Sequence, residues 1–243
     1  MVSKNQKKFI KSLSLKKYRK QHGLFVAEGS KLIQELINLE LKLHALITIH
    51  PEDFSAPADL IQQCTASELK SISFLKNAQK ALAIFEIPVA INLEIKGLVL
   101  ALDGIQDPGN LGTLIRLCDW FGVQHIVCSQ DTVDAYNPKV VQATMGSIGR
   151  VQVHYQNLES FIKNLPDKHP VYGAFMHGDS IYSAQLKTPS VLILGNEGSG
   201  ISDQINSLIK QRITIPKFNK GNSIESLNVA TAGAILLSEF RRI

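Results

Sequence analysis

The sequence predicts an α/β protein whose larger part is built on a mostly parallel sheet. Three observations predict it. Apolar runs such as "GLVLALDG" and "SVLILGNEGSG" are continuous rather than alternating, as strands buried on both faces require. Helix-patterned stretches separate these runs, the rhythm of parallel strands joined by crossover helices. Glycine-rich loops follow several of the runs, where open α/β sheets place their ligands. The chain has 243 residues, 44% hydrophobic and 19% charged, which suits a sizeable core and not disorder.

Taken in order, the opening stretch "MVSKNQKKFIKSLSLKKYRKQ" carries Lys4, Lys7, Lys8, Lys11, Lys16, Lys17, Arg19 and Lys20, and no acid precedes Glu28. The net charge of +5 rests on these eight: without them, 18 basic residues face 21 acidic ones. Such a segment suits a polyanion, and equally a solvated basic helix. It lacks an apolar core of signal-peptide length, and no run in the chain reaches membrane-spanning length, so a cytoplasmic protein is expected. In "GSKLIQELINLE", Leu32, Ile33, Leu36, Ile37 and Leu39 recur at helical spacing. "LHALITIH" and "KALAIFEIP" read as strands. Between them, Thr65 and Glu68 have the spacing of a capping box. These signals predict a parallel α/β unit behind a basic arm, followed by the linker-like "EIPVAINLEIKG".

From about residue 97 the alternation repeats. "GLVLALDG" is a strand, "GNLGTLIRLCDWFG" a helix with a glycine stop, "QHIVCSQ" a strand and "NPKVVQATMGSI" a helix. "PVYGAFMHG" and "SVLILGNEGSG" read as strands running into glycine loops. "SDQINSLIKQ" reads as a helix, "RITIPK" as a strand and "SLNVATAGAILLSEF" as the last helix. Cys64, Cys118 and Cys128 are odd in number and widely spaced, so neither a disulfide framework nor a zinc pattern is expected, and the seven histidines are scattered. No metal is expected.

Three loops carry candidate chemistry. In "DGIQDPGNLGTLIR", Pro108 and Gly109 turn the chain, Asn110 is placed to cap the next helix, and Arg116 lies nearly two turns along it. In "LILGNEGSGIS", Gly195, Gly198 and Gly200 allow positive φ and close backbone approach. The spacing is neither that of a dinucleotide fingerprint nor that of a phosphate loop. Glu197 in its middle would repel a pyrophosphate but tolerate an adenosine bearing a cationic sulfonium. The third loop, "IPKFNKGNSIESLNVATAGAILLSEF", sets Ser226 and Asn228 before a helix crowded with Ala230, Ala232, Gly233 and Ala234. Such small side chains let a backbone or a neighbouring helix press close.

Together and in this order, the three loops resemble the motifs of the SpoU/TrmH family of RNA ribose 2′-O-methyltransferases, of the SPOUT class. The resemblance spans residues 97–243. "HGLFVAEGSKLIQELI" is similar to the start of the L30e-like substrate-binding domain often placed before it, which implies domains at 1–92 and 97–243. The resemblance implies a small L30e-like α/β domain, then a SPOUT domain with a parallel sheet, a C-terminal trefoil knot and a homodimer formed through that domain. It implies S-adenosylmethionine as cofactor and rRNA or tRNA as substrate, rRNA slightly favoured. Arg116 becomes the key catalytic residue, with Asn110, Glu197, Ser226 and Asn228 around it. Leu194, Gly195, Asn196, Gly198, Ile201, Ile215 and Leu227 become cofactor contacts. A silent RNA-binding protein of the same fold is the alternative, against which the intact polar residues count. The segment before Ser-Leu-Asn departs from the family's short "IPM-x-G": here it is longer and lacks the Met.

Overall fold

The computed structural model describes residues 1–89, 91–219 and 226–242. Its elements begin with α1 (Lys4–Ser12), α2 (Lys16–His22), β1 (Leu24–Glu28), α3 (Ser30–Asn38), β2 (Leu43–Thr48), β3 (Ile61–Gln63), α4 (Ala66–Ile72) and β4 (Ala81–Glu86). They continue with β5 (Leu98–Asp103), α5 (Pro108–Trp120), β6 (His125–Cys128), α6 (Pro138–Thr144), β7 (Gln152–Tyr155) and α7 (Leu158–Lys163). The chain then forms β8 (Val171–Ser180), β9 (Ser190–Gly195), α8 (Asp203–Asn206), β10 (Gln211–Thr214) and α9 (Val229–Arg241). Two compact units result. One holds Met1–Val89 with Asp134–Arg150; the other holds the described residues of 90–133 and 151–243. No described helix is long and apolar enough to cross a membrane.

The first unit carries a four-stranded sheet of order β1-β4-β2-β3. It is mixed, not parallel as the sequence suggests: β4 runs antiparallel to both β1 and β2, and only β2–β3 is parallel. The reason is general. A continuous apolar run such as Ala81–Phe85 reports burial on two faces, which a central antiparallel strand shares with a parallel one. The basic N-terminal segment is folded. Val2, Ile10 and Leu13 are buried with Leu24, Val26, Leu69 and Ile72. Each buried aliphatic contributes about 1.5–3 kcal/mol, against only about 0.2–0.5 kcal/mol for each like-charge neighbour on an exposed helix face, so packing wins over repulsion. Ser3 and Thr65 each close a capping box, at the starts of α1 and α4.

Arg19 is among the eight cations of that segment, yet it is only 2% exposed. Its guanidinium donates to the Leu13 and Ser14 carbonyls at 2.7 and 2.8 Å, and through Nε to Asp134 Oδ2 at 2.9 Å. Asp134 opens the segment Asp134–Arg150, which lies within the second predicted domain in sequence but clusters with the first unit in space. Tyr136 packs on Phe25 at 5.0 Å between ring centroids, and Arg150 pairs with Glu35 at 2.6 Å. A charge taken out of water must be paired and hydrogen-bonded, and Arg19 meets both conditions through Asp134 and the two carbonyls.

The second unit is a six-stranded sheet of order β10-β8-β9-β5-β6-β7. Every neighbouring pair in it is parallel. One face packs Val99, Ala101, Val127, Val191 and Ile193 against Leu158, Phe161 and Ile162 of α7 and Ile205 of α8. Leu194, which alternates with Ile193 and so points to the opposite face, lies under α9. A Cβ at Gly233 would sit 2.6 Å from Leu114 Cδ2 and 3.3 Å from Leu194 Cδ1. The small residue therefore lets α9 lie close to α5 and β9.

The pairing of the sheet opens at one place. β8 and β9 pair only as far as Gly173 and Ile193, whereas β9 continues beside β5 to Gly195. β10 pairs with Tyr172–Gly173, then skips to Asp179–Ser180 across an irregularity at Arg212/Ile213. Residues 174–178 of β8 are thus left out of the ladder, and the ends of β8, β9 and β10 part. The sequence reads "PVYGAFMHG" as a strand ending in a glycine loop; the strand instead passes through Gly178 to Ser180. The expected helix in "SDQINSLIKQ" is a single turn, Asp203–Asn206.

Candidate active site

The gap between these strand ends is a cavity of about 690 Å³. Ala174, Phe175 and Met176 of β8 form one side, Leu194 and Gly195 of β9 another, and Ile213–Ile215 a third. The loop after β9 and the residues entering α9 complete it. Leu194, Gly195, Asn196, Gly198, Ile201, Ile215 and Leu227, all expected at a cofactor, line this one cavity. Glu197, Ser226 and Asn228 line it too. The lengthened loop 215–228 is described at 215–219 and 226–228; residues 220–225 lie outside the described residues.

The loop after β9 is held by its own polar atoms. Asn196 Nδ2 donates to the Gly104 carbonyl at 2.6 Å, and Asn196 Oδ1 accepts from the Gly198 and Ser199 amides at 2.9 and 3.1 Å. The Ser202 amide donates to Asp103 Oδ2 at 2.8 Å, tying the far end of the loop to β5. The side chain of Asn196 is therefore committed to shaping the loop. Of the three glycines, Gly200 has positive φ, at 72°. Gly195 is needed for a different reason: a Cβ there would lie 2.2 Å from the Gly200 carbonyl carbon and the Ile201 nitrogen.

The second predicted loop meets this one through side chains. α5 begins at Pro108, and its N-cap is Asp107, whose Oδ1 accepts from the Asn110 amide at 2.9 Å. Asn110 is thus not the cap the sequence suggests. Asp107 takes that role because proline fits the first helical position, where no amide donor is needed. This leaves the Asn110 amide group free for other partners. Its Nδ2 donates to Glu197 Oε1 at 2.8 Å, and its Oδ1 accepts from Asn228 Nδ2 at 2.9 Å. Asn228 in turn caps α9, accepting from the Ala230 and Thr231 amides at 2.9 and 3.2 Å. A line Asn228–Asn110–Glu197 therefore joins all three motifs. The Glu197 carboxylate also lies 3.4 Å from the Gln106 and Asp107 amides, where the positive end of α5 favours an anion.

Arg116 is placed differently. It is exposed on α5, is not part of the cavity wall, and has no hydrogen bond or ion pair among the described residues. A guanidinium so presented is free to meet an anion arriving from solvent. Burial pushes the Cys118 and Cys128 thiols up, away from the reactive thiolate. Among the described residues no group of three His, Cys, Asp or Glu side chains could hold a metal ion. The wall formed by 174–176 and the loop anchor Asp103 escape a reading of the sequence. A signal was present for the wall: Gly173 and Gly178 bracket the unpaired stretch, and a glycine inside a strand marks a break in the ladder.

Comparison with known proteins agrees with this geometry. Residues 97–238 match the model of the SpoU rRNA Methylase family, and residues 4–83 that of an MRM3-like substrate binding domain. The 23S rRNA (guanosine(2553)-2′-O)-methyltransferase RlmP of Bacillus subtilis is 32% identical over 247 residues, covering 98% of this chain and 97% of that protein. A TrmH-family protein from Porphyromonas gingivalis is 40% identical, with a TM-score of 0.88 over 99% of this chain and 98% of that one. An AdoMet-bound rRNA methyltransferase from Sinorhizobium meliloti is 29% identical, with a TM-score of 0.86 over 99% and 96%. A match over more than half the chain, and a relative aligned along nearly its whole length, establish what the three hydrogen-bonded loops imply: the chain belongs to the SpoU rRNA methylase family.

Proposed function

We propose that the protein methylates the ribose 2′-hydroxyl of a nucleotide in 23S rRNA, a guanosine by analogy with RlmP, using S-adenosylmethionine. The observation that carries this reading is the Asn228–Asn110–Glu197 line at the edge of the cavity. The cavity fits the cofactor. At about 690 Å³ it falls within the range of roughly 300–1,000 Å³ for small-molecule sites. Leu194, Ile201, Ile213 and Leu236 offer apolar walls to an adenine, and the Glu197 carboxylate offers a counter-charge to a sulfonium. When bound, S-adenosylmethionine supplies an electrophilic methyl group that the protein itself cannot provide.

The protein's own part is alignment and proton management. Asn110 and Asn228 present amide groups whose orientation is fixed by their mutual hydrogen bond and by the helix cap. Glu197 holds Asn110 in place and is the nearby carboxylate able to accept a proton. Arg116 keeps its own proton too strongly to serve as a base. Its role is to grip the phosphate next to the reacting ribose and to stabilise negative charge developing on the oxygen. Ser226 and Leu227 complete the wall beside the reacting group.

The first unit, with its solvated lysines, is read as the RNA-holding part. The C-terminal region is read as threaded into a trefoil knot and paired in a homodimer, and the protein as cytoplasmic. The family membership supports these readings. The experiment is transfer of a labelled methyl group from S-adenosylmethionine to unmodified, in vitro-transcribed 23S rRNA, followed by nuclease mapping. A 2′-O-methylguanosine is the expected product. RNA binding without any transfer would favour the silent RNA-binding alternative.

A further inference from the structure

We propose that Phe218 is a stacking platform for a nucleobase of the RNA, at or next to the modified nucleotide, and so positions the ribose for transfer. This rests on the reading of the cavity as the site of RNA methylation. The starting observation is an aromatic ring in the wrong place for packing. Phe218 is 84% exposed although it lines the cavity. Its companions at the same rim, Met176 and Leu227, are 53% and 47% exposed. The cavity's inner wall is supplied instead by Leu194, Ile201, Ile213 and Leu236, all buried. The ring of Phe218 therefore adds nothing to the core, and it faces whatever approaches the cavity from solvent.

Three features favour a nucleobase as that partner. Every base has a flat π-face, and an exposed aromatic side chain is the usual way a protein holds an unstacked base. The segment Lys217–Phe218 joins a cation to the ring at the same rim, so phosphate attraction and stacking come from adjacent residues. Finally, Asn228, which orients Asn110, lines the same cavity as the ring. A base held by Phe218 would deliver its sugar toward the side where those amides lie. Phe218 also falls in the segment where this chain departs from the short family pattern, so the platform is a property of this sequence.

The test uses the full chain and four proteins: wild type, Phe218→Ala, Phe218→Leu and Phe218→Trp. Affinity for unmodified 23S rRNA is measured by fluorescence anisotropy, and KM and kcat by labelled-methyl transfer. Affinity for S-adenosylmethionine is measured by calorimetry. Base–aromatic stacking predicts that Ala and Leu each raise the Kd and KM for RNA by about 5- to 150-fold. Trp should restore them, and cofactor affinity should stay unchanged in every variant. If Leu performs like Phe, apolar bulk suffices and stacking is wrong. Weakened cofactor binding with unchanged RNA affinity would place the ring on the cofactor instead, and identical behaviour of all four would remove the role altogether. Because anisotropy does not need turnover, a wild type that binds RNA without methylating it would overturn the proposed function while still deciding the role of Phe218.

Discussion

Two polar networks, one in each unit, use similar side chains to opposite ends. Around Arg19 the network is sunk: the guanidinium is enclosed by the Leu13 and Ser14 carbonyls and by Asp134. Around Asn110 the network is open: Asn228, Asn110 and Glu197 lie at the surface and bond chiefly to one another and to loop amides. The first arrangement is dictated by folding, because a buried charge without partners is prohibitive. The second is not. Water could serve exposed amides almost as well, and a typical hydrogen bond nets only about 0.5–1.5 kcal/mol. Ordering two exposed side chains, Glu197 and Asn228, around the half-buried Asn110 makes sense when a ligand benefits from their alignment. Exposure with fixed geometry, rather than charge, distinguishes the site from the scaffold.

The comparison is broken most forcefully at Arg19. Arg19→Ala should leave Asp134 partly buried and unpaired, costing about 3–5 kcal/mol, visible as a large fall in the denaturation midpoint. Cofactor affinity per folded molecule should not change. A variant as stable as wild type would mean that the buried pair is dispensable. Arg116→Ala should do the reverse. Transfer should fall by about 100- to 1,000-fold, as for loss of a group that stabilises developing negative charge. Thermal stability and cofactor binding should hold, since Arg116 has no partner to lose among the described residues. Arg116→Lys should also be poor, because lysine cannot make a bidentate phosphate contact. Undiminished turnover in the Ala variant would remove Arg116 from the mechanism.

A smaller effect sharpens the contrast within the basic segment itself. Val2, Ile10 and Leu13 are core residues, so deleting residues 1–20 would test folding and not RNA binding. Lys4 and Lys8 are exposed on α1 and can be changed without disturbing that core. The double change to Gln should flatten the log–log salt dependence of RNA affinity by about 1 to 2, at roughly 0.7–0.9 per lost phosphate contact. Equal slopes would show α1 to be only a solvated helix.

The three motif loops are legible in the sequence because each is local: glycines, an Asx cap and a strand lie within a dozen residues. The direction of β4 is not legible, since two-sided burial looks the same in either orientation. Assigning the cap of α5 fails for a related reason. Asp107 and Asn110 are both competent caps, and Pro108, which marks Asp107 as the cap, says nothing of the partners Glu197 and Asn228, distant in sequence, that hold Asn110. The wall at 174–176 is missed because Gly173 and Gly178 read as a loop and not as the limits of an unpaired stretch, and β7 and α7 because each is too short to show a period. The membership of Asp134–Arg150 in the first unit depends on Arg19 and Phe25, more than a hundred residues away, which no local pattern reports.

The central claim is that the parted ends of β8, β9 and β10 hold S-adenosylmethionine beside the Asn228–Asn110–Glu197 line. Calorimetric titration of the purified protein with S-adenosylmethionine, its demethylated product and NAD tests it most directly. Wild type should bind the two sulfur ligands at one site per chain and ignore NAD. Gly195→Ala, whose new methyl group would collide with the Gly200–Ile201 backbone, should bind neither sulfur ligand. Tight NAD binding without a response to either sulfur ligand, or undiminished binding by Gly195→Ala, would contradict the account.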